Sequence, residues 1–80
     1  MAVKDTVAQR FQGLCKERGI KLNELATLAG VTPSTVYSMM DAKRRDVSIV
    51  TIKKLCDGLE ITLGTFFSTP EFDALDQEIQ

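Results

Sequence analysis

Histidine is absent from these 80 residues, and cysteine occurs only as Cys15 and Cys56, with no CxxC pair. Too few ligands exist for a zinc site or a thioredoxin-like motif, so no metal is expected. The two thiols read as buried small hydrophobes in a reducing compartment. No paired carboxylates are placed for a cleft, and no glycine-rich loop is present to cradle a phosphate. The chain therefore offers nothing from which to build an active site; no enzyme, no catalytic residue and no cofactor is expected. No run of about 18 apolar residues occurs, which argues against a membrane-spanning helix. The opening MAVKDTVAQR lacks the apolar core of an export signal, so a cytoplasmic protein is expected.

What is present suits one small domain. Apolar residues make up 44% of the chain and charged residues 26%, a balance that favours a packed core over disorder. The apolar positions recur at helical spacing, and an all-α fold follows. No internal repeat or low-complexity tract interrupts it.

The pattern is sharpest from Lys21 to Met40, KLNELATLAGVTPSTVYSMM. Leu22, Leu25, Ala26 and Ala29 share one face of a helix over about Leu22 to Ala29. Gly30 is the residue that tolerates positive φ at a helix end. Thr32 is placed to cap the next helix and Pro33 fits its first position, where no N–H donor is missed. Val36, Met39 and Met40 turn inward. Pro33, Ser34, Tyr37 and Ser38 remain on the outer side, free to touch something. Two short helices, a glycine turn and an unspent polar face make the helix-turn-helix plan for reading DNA.

The remaining segments supply a scaffold. Val3 to Arg18 reads as an amphipathic helix with Val3, Val7, Phe11, Leu14 and Cys15 inward. Asp5 or Thr6 is placed to start it and Gly19 to end it, with Ile20 closing over the end. Lys16 and Arg18 suit its C-terminal dipole, and Arg10 faces solvent without a role. Ser48 caps a fourth helix carrying Ile52, Leu55, Cys56 and Leu59, and Thr62 caps a short fifth helix whose Phe66 and Phe67 close one end of the core. Thr69-Pro70-Glu71 is a further helix start, with Thr69 as the capping hydroxyl. Phe72, Leu75 and Ile79 make a narrow apolar stripe on that acidic segment. So short a piece frays, packs on the body or buries its stripe against a second subunit. The expected division is a helix-turn-helix domain over residues 1–68 and an acidic tail or short helix over 69–80.

Charge is distributed unevenly. The whole chain carries a net −1, but residues 1–70 hold ten basic and seven acidic residues, a net +3. Lys43, Arg44 and Arg45 stand in succession directly after the outward-facing helix. A positive field concentrated there suits phosphate contact.

Residues of about 7 to 68 resemble the Cro and phage-repressor (XRE) family, the lambda-repressor-like helix-turn-helix DNA-binding domains. The likeness is carried by Glu24-Leu25-Ala26 in the second helix, Gly30-Val31-Thr32 at the turn, and Ser34 to Met39 (STVYSM) in the third. Leu55 to Phe67 (LCDGLEITLGTFF) carries it further. The resemblance implies a compact five-helix bundle with the acidic C-terminal segment as a sixth helix or tail. It also implies binding of double-stranded DNA as a homodimer and a role as a transcriptional regulator, most simply a repressor. Pro33, Ser34, Tyr37 and Ser38 would then face base edges in the major groove. Thr35 would touch phosphate or an edge base, and Lys43, Arg44 and Arg45 would grip the backbone. The sequence does not identify the dimer surface; the fifth helix and the tail are the best candidates for it.

Four positions depart from the family pattern in three places. Lys21 and Leu22 stand where a hydroxyl cap and a glutamine usually hold a phosphate; lysine can still meet one, leucine cannot. Glu60 replaces a glycine after the fourth helix, and Ala42 replaces a loop glycine. No Arg, Gln or Asn stands on the outer face of the third helix, so sequence preference rests on shape, water and the loop cations more than on bidentate base contacts. The competing expectation is a helix-turn-helix fold kept as a protein-binding module, an antitoxin-like or accessory factor with weak or no DNA affinity.

Overall fold

Val7, Phe11, Leu14 and Cys15, at the spacing that brings side chains onto one helical stripe, are all buried in the first helix, α1 (Val3–Arg18). The computed structural model describes residues 3–41, 43–44 and 46–77. Over these the chain forms five further helices and no strand: α2 (Leu22–Ala29), α3 (Pro33–Met40), α4 (Ile49–Gly58), α5 (Leu63–Phe67) and α6 (Pro70–Asp73). Ala42, Arg45, Glu78 and Ile79 lie outside the described residues, so neither the third basic residue of the loop nor the end of the acidic stripe is placed.

Leu25, Ala26, Val36, Ile52, Leu55, Cys56, Leu59 and Phe66 join the α1 stripe in one core. Within it α2 packs chiefly on α3 and α4. Both cysteines are free and buried. Burial pushes the Cys15 and Cys56 thiols up from their ordinary value, more than the neighbouring Arg18 and Lys53 lower them. They are inert core groups, as expected.

The helix ends follow local chemistry. Gly19 (φ 65°) and Gly30 (φ 69°) take the left-handed conformation at the ends of α1 and α2. Behind them the Ile20 N–H donates to Cys15 O at 3.0 Å and the Val31 N–H to Ala26 O at 3.0 Å. Ser48 Oγ accepts from the Val50 N–H at 3.1 Å, and Thr62 Oγ1 from the Thr65 N–H at 3.0 Å. Glu60, without the glycine, still adopts φ 59°.

Several sequence expectations are corrected. Val3 is 38% exposed, because the inward position on that first turn belongs to Lys4, only 4% exposed. Neither Asp5 nor Thr6 starts α1, which already runs from Val3. Thr32 and Thr69 occupy N-cap positions but make no side-chain cap bond. The Thr32 hydroxyl instead pairs with Ser34 Oγ at 3.1 Å and Thr35 Oγ1 at 2.9 Å. That of Thr69 is buried without a partner.

Arg10 does not simply face solvent. Its Nε donates to Phe66 O at 3.0 Å, its Nη2 to Thr65 O at 3.3 Å, and its guanidinium lies 5.8 Å from the centre of the Phe66 ring. These carbonyls belong to the last turn of α5, where helical partners are missing and a cation is suited to satisfy them.

The start of the acidic segment packs. Phe72 lies 4.9 Å from Phe67 and 5.8 Å from Phe66, ring centre to ring centre, and Phe66 sits 4.4 Å from Phe11. Four rings thus seal one end of the core, and burial of Phe72 offsets the weak intrinsic stability of so short a helix.

Candidate nucleic-acid interface

At 3.6 residues per turn, Pro33, Ser34, Tyr37 and Ser38 occupy an arc of roughly 140° on α3. All four are exposed, Tyr37 by 51%. The opposite arc holds Val36 and Met39, buried at 0% and 3%, and Met40, half-buried, borders the outer arc beside Pro33. A buried apolar side fixes the rotation of the helix, and the polar side must therefore stand out. Thr35 lies at the border, half-buried, its hydroxyl engaged by Thr32.

The turn before α3 is closed by backbone hydrogen bonds and core packing. Gly30 ends α2, Val31 packs against the core, and the Thr35 N–H closes onto Thr32 O at 3.0 Å. Lys21 is the N-cap of α2 and exposed. Its side chain has no cap bond, but its N–H donates to Glu24 Oε1 at 3.4 Å, so the ammonium is left to solvent while Glu24 steadies the helix start.

After α3, Lys43 and Arg44 are tied through their backbone to Asp41. Its Oδ1 accepts from the Lys43 N–H at 2.9 Å and its carbonyl from the Arg44 N–H at 3.0 Å. Both basic side chains are exposed. Arg44 borders a surface notch with Thr35, Ser38, Ser48 and Thr51. No sequence pattern marks Ser48 and Thr51 as part of this surface: Ser48 reads as a helix cap, and the approach of α4 to α3 is a tertiary fact. Asp46 lines the same notch, so the guanidinium and hydroxyls offer donors to an anionic oxygen beside one opposing carboxylate.

The acidic segment lies elsewhere. Thr6, Gln9, Gly13 and Glu17 line the cleft of α1 that meets Glu71 and Phe72. Lys4 and Gln12, which contact Asp41 and Met40, lie on average roughly 150° away around the same helix. Among the described residues, then, the negative tail and the positive loop occupy different sides of α1. The sequence-wide charge of −1 understates the local field beside α3.

This geometry is a helix-turn-helix. The profile of the Cro/C1-type HTH DNA-binding domain matches residues 10–71, and the chain belongs to that family of DNA-binding regulators. Among solved structures, one described as the crystal structure of the prophage Lp1 protein 11 superposes with a TM-score of 0.83 at 30% identity. The match covers 94% of this chain and 100% of that one. No curated protein matches. Among the described residues no group of His, Cys, Asp and Glu could hold a metal ion, and no helix is long and apolar enough to cross a membrane.

Proposed function

We propose that this chain binds double-stranded DNA with sequence preference and acts as a transcriptional repressor in the form of a homodimer. Residues 1–68 carry the DNA-reading unit, and 69–80 form an acidic segment appended to its aromatic end. In this reading α3 lies in the major groove with Pro33, Ser34, Tyr37 and Ser38 against base edges. Lys21, Thr35, Lys43, Arg44 and Arg45 meet phosphates on either side. The observation that carries the proposal is the exposure of Tyr37 on the polar arc of α3, followed in the chain by the exposed Lys43 and Arg44, whose backbone amides bond to Asp41. The serine hydroxyls discriminate bases weakly, so Tyr37 and the shape of the duplex carry most of the preference.

The test is electrophoretic retardation of random-sequence duplex at low salt, followed by selection of the bound fraction. Retention, and enrichment of a two-fold symmetric sequence with half-sites roughly 34–36 Å apart, is the expected result. Absence of retardation at low salt would overturn the proposal in favour of a protein-binding role. Enrichment of a single half-site would remove the dimer.

A further inference from the structure

Lys4 is buried, 4% exposed, on the first turn of α1. A lysine is out of place there, because the N-terminal end of a helix carries positive partial charge and favours acids. Its stem fills the inward position that Val3 leaves. Its ammonium donates to the backbone carbonyl of Asp41, 37 residues away. Asp41 is the C-cap of α3, where carbonyls lack helical partners and a cation is favoured.

Asp41 is also the residue on which the basic loop is built. Its carboxylate orders the Lys43 amide, and the carbonyl that receives Lys4 also receives the Arg44 amide at 3.0 Å. One buried cation on α1 thus holds the peptide from which both placed loop cations take their backbone direction. We infer that Lys4 is a positioning residue for the phosphate-gripping loop, setting where Lys43 and Arg44 point without touching DNA.

The inference rests on the DNA-binding reading of that loop, but half of its test does not. In Lys4→Met the apolar stem is kept and the ammonium removed; Lys4→Arg keeps a donor cation; Lys16→Met removes an equal charge from an exposed site on the same helix. Amide hydrogen exchange of the DNA-free proteins reads the tie directly. Lys4→Met is expected to speed exchange at Lys43 and Arg44 by about tenfold while α2 and α4 keep their protection. Lys16→Met should leave those two amides as they are, and Lys4→Arg should restore most of their protection.

Binding to random-sequence duplex across a salt series reads the consequence. The slope of log K against log salt should fall by about one for each phosphate that Lys4→Met no longer grips, and by less in Lys16→Met. Unchanged exchange at Lys43 and Arg44 in Lys4→Met would overturn the tie. Changed exchange with an unchanged slope would overturn its role in gripping DNA. Failure of the wild-type protein to bind any duplex would instead count against the DNA reading, with the exchange result still standing. Should Lys4→Met not fold, Lys4→Gln, which keeps part of the stem and a neutral donor, is expected to speed exchange at Lys43 and Arg44 by a smaller factor, and unchanged exchange there would overturn the tie equally.

Discussion

A methyl group on Gly58 would stand 2.8 Å from the backbone nitrogen of Ala29 and 2.9 Å from the carbonyl carbon of Leu28. The last turn of α4 therefore meets the last turn of α2 at backbone contact, and the obstruction is main chain, which cannot rotate aside. Alanine is the better helix former by about 1 kcal/mol. Even so, Gly58→Ala is expected to destabilise the fold by about 1–3 kcal/mol, because α2 and α4 must separate. Thermal unfolding measures it, and a raised Tm would show that the two helices have room to spare.

Glu60 presents the opposite case. Its φ of 59° allows the Ile61 N–H to reach Cys56 O at 3.0 Å, ending α4, but holds a side chain in the left-handed region. Glu60→Gly should stabilise by about 1 kcal/mol, which raises the Tm of a domain this size by roughly 4–8 °C. No gain on calorimetry would mean that the glutamate compensates for its own strain.

Arg10→Met retains the apolar stem and removes the donors to Thr65 and Phe66. The cost should be about 1.5 kcal/mol, at the low end for a charged donor because the side chain is only half-buried. A urea midpoint that falls without a change in slope would be the signature. An unmoved midpoint would show that solvent satisfies those carbonyls equally well.

If α3 lies in the major groove, Tyr37→Ala should weaken binding to the selected sequence more than to random duplex. Lys43→Ala and Arg44→Ala should weaken both alike and reduce the salt slope by about one for each phosphate no longer neutralised. Competition binding at matched salt separates the two behaviours. Equal losses for both duplexes in Tyr37→Ala would move that ring from base edge to backbone.

The buried thiols predict a loss of stability at alkaline pH. Burial raises Cys15 and Cys56 above their ordinary value of 9.0, so folding holds their protons more tightly than the unfolded chain does. Stability from these groups is complete below the unfolded pKa and is lost as pH climbs through the folded one. Denaturation midpoints should therefore fall above about pH 9. Cys56→Ala, although less stable at neutral pH, should show a flatter alkaline decline. An equally steep decline would assign the loss to other groups.

Periodicity and caps made most of the fold legible. Ser48 and Thr62 cap as their sequence context implies, and Val36 and Met39 fix the outer arc of α3 that bears Tyr37. Thr32 and Thr69 carried the same signal and did not cap: the Thr32 hydroxyl found Ser34 and Thr35, whereas that of Thr69 is buried with no partner. The Lys43-Arg44 pair could be read as a cluster, but the groups that orient it could not.

Local order in this chain was determined by the sequence itself, since helix ends, faces and turns depend on residues three to five positions apart. Tertiary structure alone decided what Lys4, Arg10 and Gly58 do. Each acts on a backbone segment roughly 30 to 55 residues away, and no short-range pattern records which carbonyl a long cation will reach or which helix will press against a missing side chain.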